Sequence, residues 1–170
     1  KHIKMKELKY LLFVILIFTG QIFIAAQNGQ TDVLLEPIEI SGLGGVQSYA
    51  FGQHEGKWLI IGGRLDGLHR RQPFASFDVA GHNTDIIVID PVQKKQWRKS
   101  NSVLPASIRE QLSATNPEFH QEGDRLYIIG GYGFSATLND HTTYASLCAV
   151  DVSQVIDAVI NNKDMVSFFR

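Results

Sequence analysis

Two polar stretches hold most of the side chains capable of chemistry. Residues 64–83 carry Arg64, Asp66, His69, Arg70, Arg71, His82 and Asn83, and residues 132–143 carry Tyr132, Asn139, Asp140 and His141. Glu118 and His120 lie just upstream of the second stretch. A guanidinium offers a planar fork of donors that matches a carboxylate, so Arg64, Arg70 or Arg71 could hold a sugar acid. Arg70-Arg71 reads equally as a solvated pair on a loop. Phe74 and Phe77 sit nearby, either anchoring that loop or offering a stacking surface. His69, His82, His120 and His141 are of the type that moves protons or binds metals near neutral pH. No two of them stand at a recognised ligand spacing, and HExxH is absent. GxSxG is absent too. Gly42, Gly44 and Gly45 make no phosphate-cradling frame. Asp85 and Asp90 resemble a carboxylate pair, but Asp90 precedes Pro91 and is better placed to cap a turn. No metal or other cofactor is expected, and no catalytic set stands out.

Both stretches follow twin glycines, and the twin glycines belong to a duplication. FGQHEGKWLIIGG (51–63) aligns without a gap on FHQEGDRLYIIGG (119–131), an offset of 68 residues. Phe, Gln, both Ile and both Gly are identical, and Lys57 faces Arg125. A second anchor follows each copy, IIVID (86–90) and LCAVD (147–151), at an offset of 61. The unit therefore repeats with a shorter loop in its second copy. Self-similarity at such a period marks repeat architectures.

Each unit reads as β-structure. Short apolar runs bounded by Gly, Pro and Asp are buried-strand signals. They place strands near 47–52, 57–61, 85–89 and 95–98 in the first copy. In the second they place strands near 118–121, 125–129 and 146–150. Gly62-Gly63 and Gly130-Gly131 end strands where positive φ and close backbone approach are wanted. Residues 101–116 connect the copies and hold a possible short helix at 106–113. Val152, Val155, Ile156, Val159 and Ile160 have helical spacing, which predicts a helix within 152–163 before a last strand near 166–169. Residues 28–42 are expected to be a linker or an outer strand.

The order of apolar strand, Gly-Gly, loop, Asn83-Thr84-Asp85, apolar strand, Asp90-Pro91 and Trp97 resembles a kelch repeat. The resemblance covers roughly residues 43–170. The usual Tyr of the third strand is missing, with Ile87 in that region, and no Trp follows Asp151 at the matching distance. The resemblance implies an all-β chain of about two four-stranded blades of a β-propeller (43–100 and 117–170). It assigns structural roles to Gly62, Gly63, Asp90, Trp97, Gly130, Gly131 and Asp151. It gathers the loops after the twin glycines on one face, with Glu118 and His120 near the channel mouth. Propellers typically have about four to eight blades. The chain is therefore expected to be part of a longer protein, or to associate with copies of itself.

Residues 1–26 have the order of a cleavable signal: Lys1, Lys4, Lys6 and Lys9, an apolar run 11–18 extended by 22–26, then Ala25-Ala26 before polar residues. A helical export signal with cleavage after Ala26 is expected, with Met5 as initiator. The rival, a membrane anchor, wants about 20 mostly apolar residues, and 10–26 supplies 17. The expected location is secreted or periplasmic, off the membrane after cleavage. Across 170 residues, 44% are hydrophobic, 19% charged and 15 are Gly, a globular composition with many turns. A net charge of −1 gives no bulk attraction to nucleic acid. One cysteine excludes an intramolecular disulfide.

The leading expectation is a binding or interaction module for a protein or a glycan. The alternative is part of a carbohydrate-active enzyme resembling sialic-acid mutarotases or galactose oxidase. Copper oxidases of the latter kind need a Tyr cross-linked to Cys, and Cys148 in the apolar run 147–150 does not suit that chemistry. A mutarotase-like reading leans on Arg64, Glu118 and His120.

Overall fold

A computed structural model describes residues 33–67 and 77–170. The expected signal and His69, Arg70, Arg71 and Phe74 lie outside the described residues. The chain divides into residues 1–37 and 38–170. In the first unit, Val33, Leu34 and Leu35 are 75–84% exposed. The expected outer strand does not form over residues 33–42, which are irregular but for one turn.

The second unit is mostly β-structure, with two antiparallel sheets and two helices. The first sheet runs in chain order: β1 (Ala50–His54), β2 (Lys57–Ile61), β3 (Asp85–Asp90) and β4 (Lys95–Ser100). Glu55 and Gly56, with φ of 47° and 74°, close the two-residue turn between β1 and β2. Two positive φ values are what such hairpins require. Asp90 Oδ1 accepts the Gln93 N–H at 2.8 Å and closes the next turn. Helix α1 (Ala106–Leu112) then leads to β5 (Thr115–Glu122) and the long β6 (Arg125–Ser135). The other edge of β6 pairs with β7 (Asp140–Thr143) and β8 (Leu147–Asp151). Helix α2 (Val152–Ile160) follows. Asp124 caps it: Oδ1 accepts the Ser153 N–H at 2.8 Å, and Oδ2 accepts the Ser153 hydroxyl at 2.5 Å.

Two expectations need correction. Residues 132–143 are not a loop: β6 continues through Ser135 and turns back as β7. Gly131, Gly133 and Ser135 are buried along the continuation, so one side is packed although the residues are small. Residues 166–168 form a 3-10 turn rather than a strand. Pairing begins one residue later, where Val150 bridges Phe169 and the backbones of Ala149 and Arg170 exchange hydrogen bonds at 2.7 and 3.0 Å.

The register of the duplication fixes how the sheets meet. Leu59, Ile61, Ile86 and Val88 project from one side of the first sheet, and Trp58, Ile60, Ile87 and Ile89 from the other. In the second sheet the repeat counterparts of the first set are Tyr127, Ile129, Leu147 and Ala149. The counterparts of the second set are Leu126, Ile128, Cys148 and Val150. The shared core joins unlike sides: Leu59, Ile61, Ile86 and Val88 pack with Leu126, Ile128, Cys148 and Val150, each at most 2% exposed. The sheets are thus stacked head to tail.

They lie together along β1 and β5, while β3 and β4 lie against α2. Five buried α2 residues, Val152 to Val159, fill that side of the core, and Trp97 packs against it. At the β1–β5 seam the Gln121 amide grips the backbone of Gln53, its own repeat counterpart. Oε1 accepts the Gln53 N–H at 2.8 Å, and Nε2 donates to the Gln53 carbonyl at 2.8 Å.

All four twin glycines have positive φ, from 69° to 95°. A Cβ on Gly62 would stand 2.7 Å from the Ala114 carbonyl oxygen, and one on Gly63 would strike the carbonyl of Gln47. Gly56 has a similar φ but open space around it. Gly63→Ala is therefore expected to destabilise the protein by about 3 kcal/mol, against about 1 kcal/mol for Gly56→Ala. Urea denaturation of the two variants checks this, and equal losses would show that conformation alone sets the requirement.

Candidate functional site

Where the twin glycines end, backbone from both repeats converges. Arg64 follows Gly63 and continues the first sheet as a bridge between Gln47 and His82. Its side chain turns inward and is 2% exposed. Nε donates to Asp66 Oδ1 at 2.8 Å, and Nη2 to Asp66 Oδ2 at 2.5 Å. Nη2 also donates to the Asp78 carbonyl at 3.0 Å, and the guanidinium lies 5.7 Å from the centre of the Phe77 ring. The Arg64 hydrogen bond holds the Asp66 carboxyl below its ordinary value. The fork that sequence alone offers to a ligand carboxylate is thus occupied by Asp66. Nη1 remains, buried and without a hydrogen-bond partner among the described residues.

His82 is 8% exposed and reaches toward the second repeat. Its Nδ1 stands 2.8 Å from the Ser113 carbonyl. A carbonyl only accepts, so Nδ1 carries the proton and Nε2 presents a bare lone pair. Nε2 is buried and has no hydrogen-bond partner among the described residues. Desolvation depresses the His82 pKa and keeps the ring neutral. On the second sheet a Cβ at Gly133 would lie 2.9 Å from His82 Cε1, so only glycine admits the ring there.

An aromatic group adjoins this pair. Phe77 meets Tyr132 edge-on at 5.0 Å, and Tyr132 stacks on His141 at 5.8 Å. Phe134 meets the other side of His141 at 5.5 Å. His141 Nε2 donates to the Phe77 carbonyl at 2.9 Å and ties the two repeats together.

Of the residues singled out by sequence, Arg64, Asp66, His82, Tyr132 and His141 gather here. Glu118 and His120 do not. They lie on β5 opposite Ile129 and Tyr127, exposed on the outward side of the second sheet. Strand alternation carries them there, because the neighbouring Phe119 pairs with the inward Ile128. Asn139 is also remote in role. It is exposed, with φ of 53°, in the turn between β6 and β7.

The supporting residues were harder to foresee. Asn83, 1% exposed, donates to the Gly62 carbonyl at 2.9 Å and accepts the Asp85 N–H at 3.1 Å. Gln111 from α1 donates to the Ser146 carbonyl at 2.8 Å, with Gly130 O at 3.4 Å. Each pair of twin glycines thus has a buried amide donating to carbonyls at or beside it. Glu110 accepts from the Ser135 hydroxyl at 2.6 Å and from Thr137, which lowers its pKa and fixes the β6–β7 turn. Asp151 pairs with Arg125 at 3.0 Å and Arg170 at 3.2 Å. Burial pushes the Cys148 thiol up to about 11, an inert core residue. Among the described residues no cluster of His, Cys, Asp and Glu could hold a metal ion.

Neither a family model nor any curated protein matches this chain.

The His82 arrangement has a pH signature. Its folded-state pKa lies below the ordinary 6.5, so the unfolded chain takes up a proton that the fold refuses. The stability involved is full above about pH 6.5 and is lost as pH falls, with a slope of at most about 1.4 kcal/mol per pH unit. His82→Gln is expected to flatten the stability profile between about pH 7 and 5. Urea midpoints across that range check it, and an unchanged slope would remove His82 as the source.

Proposed function

We propose that this chain is an exported binding module built of kelch-type propeller blades, with a glycan-binding site at the glycine-ended face. The duplicated pattern and the head-to-tail stacking of the sheets support the blade reading. The order of charge and hydropathy in residues 1–26 supports export to a secreted or periplasmic location.

One observation carries the ligand class. Among the described residues Arg64 Nη1 is a buried donor without an acceptor, and His82 Nε2 is a buried acceptor without a donor. Leaving such groups unmet costs about 1–3 kcal/mol each. A hydroxyl is the small group that answers either one, since it both accepts and donates a hydrogen bond. Sugars present hydroxyls in quantity, and the rings of Tyr132, Phe77 and His141 supply apolar surface beside the polar pair. Charge is a lesser element of recognition, because Asp66 already neutralises Arg64. Acidic sugars therefore hold no large advantage over neutral ones. A protein ligand would use the same rings through a hydroxyl-bearing side chain.

A sugar-converting enzyme is the second reading, and His82 Nε2 is the atom that favours it, as a base positioned by Ser113. Its depressed pKa makes it a weak base, and binding is the stronger reading.

Isothermal titration of the chain with neutral and acidic monosaccharides and short oligosaccharides tests the site. Saturable binding is expected, reduced at least about tenfold by Tyr132→Ala or by His82→Ala, since one lost hydrogen bond or ring contact is worth about 1.4 kcal/mol. Phe119→Ala, away from the site, is expected to leave it unchanged. No heat from any sugar with the folded chain would reject the glycan reading.

A further inference from the structure

The head-to-tail stack leaves one unlike surface open at each end. On the second sheet the open side carries Tyr127, Ile129, Leu147 and Ala149, with Ile129 48% and Leu147 56% exposed. Its repeat counterpart in the first sheet is the side with Leu59 and Ile61, which is covered by the second sheet and α2 together. On the first sheet the other side carries Trp58, Ile60, Ile87 and Ile89; Ile40, Leu43, Val46 and Tyr49 pack against the three isoleucines, each at most 6% exposed, and beside them remains an apolar groove of about 620 Å³ lined by Trp58, Phe51, Gln53 and Gly45. Its counterpart in the second sheet is the Leu126 and Ile128 side, which is buried against the first. Both halves of a contact that the chain makes once internally are thus present a second time, one exposed and the other a groove partly covered by residues 40–49.

The clasp at the seam repeats the pattern. Gln121 bonds the backbone of Gln53. Gln53 occupies the same register, pairs beside Trp58 and faces the groove. The segment before β1 helps to wall the groove, with Ile40, Leu43, Val46 and Tyr49 packed against Ile60, Ile87 and Ile89. The corresponding segment before β5, with Ile108 and Leu112, packs in the same place and lies within the internal contact.

We propose that the Tyr127 side of one copy docks into the Trp58 groove of a second copy, continuing the sheet-on-sheet stack between chains. Gln53 of the copy that supplies the groove then grips the Gln121 backbone of the docked copy, as Gln121 grips Gln53 within the chain. The outer pair is bulkier than the inner one, with Tyr127 where the inner contact has Leu59 and His120 where it has Gly52. The groove takes that bulk, because no described residue lining it belongs to a helix, whereas α2 stands in the internal contact. The contact is heterologous, so it grows until rotation closes it.

This inference rests on the blade reading but not on the sugar site. A monomeric chain that binds sugars would overturn this inference alone. Sedimentation velocity of the purified chain over a range of concentrations is the measurement. A discrete oligomer is expected. Ile129→Glu with Leu147→Glu, both at exposed positions, charges one surface. Gly45→Glu plugs the groove at a site with open space around it. Each variant alone is expected to sediment as a monomer with unchanged far-ultraviolet circular dichroism. An equal mixture keeps one intact surface of each kind and is expected to form a dimer and nothing larger. A monomeric parent chain would overturn the proposal. So would variants that associate like the parent, or a mixture that recovers no dimer.

Discussion

The backbone around Ala114 is squeezed from both sides, and the arrangement of the molecule depends on that squeeze. Gly63 donates to the Ala114 carbonyl at 2.8 Å. A Cβ on Gly62 would crowd the same oxygen, and a Cβ on Gly131 would lie 2.9 Å from the Ala114 Cβ. The strand ends of the two sheets can approach this closely only without side chains. At β3 and β4 the core is filled by α2 instead. The two sheets thus touch along one pair of strands, while a helix packs over the first sheet elsewhere.

The same convergence creates the site. Arg64 is the first residue after the crowded pair, and its backbone is fixed on both edges by Gln47 and His82. Its side chain has to enter the interior, where a bare charge would be untenable. Asp66 offsets most of that cost through two short hydrogen bonds. His82 meets the same interior by losing its proton rather than by finding an acid. Among the described residues one donor on Arg64 and one acceptor on His82 are left without a hydrogen-bond partner, which costs stability at this point.

Much of this was legible in the residues. The strands around Ile60, Val88, Ile128 and Val150 follow from short apolar runs, the positive φ of the twin glycines from their repetition, and α2 from the spacing of Val152, Val155, Ile156 and Val159. The hairpin of β6 and β7 was not legible. Asp140–Thr143 has no apolar alternation, and the strand forms because β6 continues beside it through residues whose packing needs small size. Glu118 and His120 were misplaced because their distance along the chain from Gly130 says nothing about which side of β5 they face. A period-two argument from Phe119 would have put them outside. The capture of Arg64 by Asp66 was equally hidden. Two residues apart on an irregular segment, they meet only because the turn there folds one back over the other.

The identical positions of the duplication make a selective set. Twin glycines are needed wherever strand ends crowd, and paired isoleucines wherever a sheet is covered on both sides. Gln121 is needed because a β1–β5 seam has backbone groups facing a neighbouring sheet rather than a neighbouring strand. None of these requirements belongs to an isolated sheet. Gln53, like Gln121, has the side chain for a seam, yet its own sheet meets the second one only from the opposite side. A glutamine in that register beside an apolar groove makes sense as half of a contact. The residues shared by the copies therefore describe the space between sheets, and that space is what the molecule repeats.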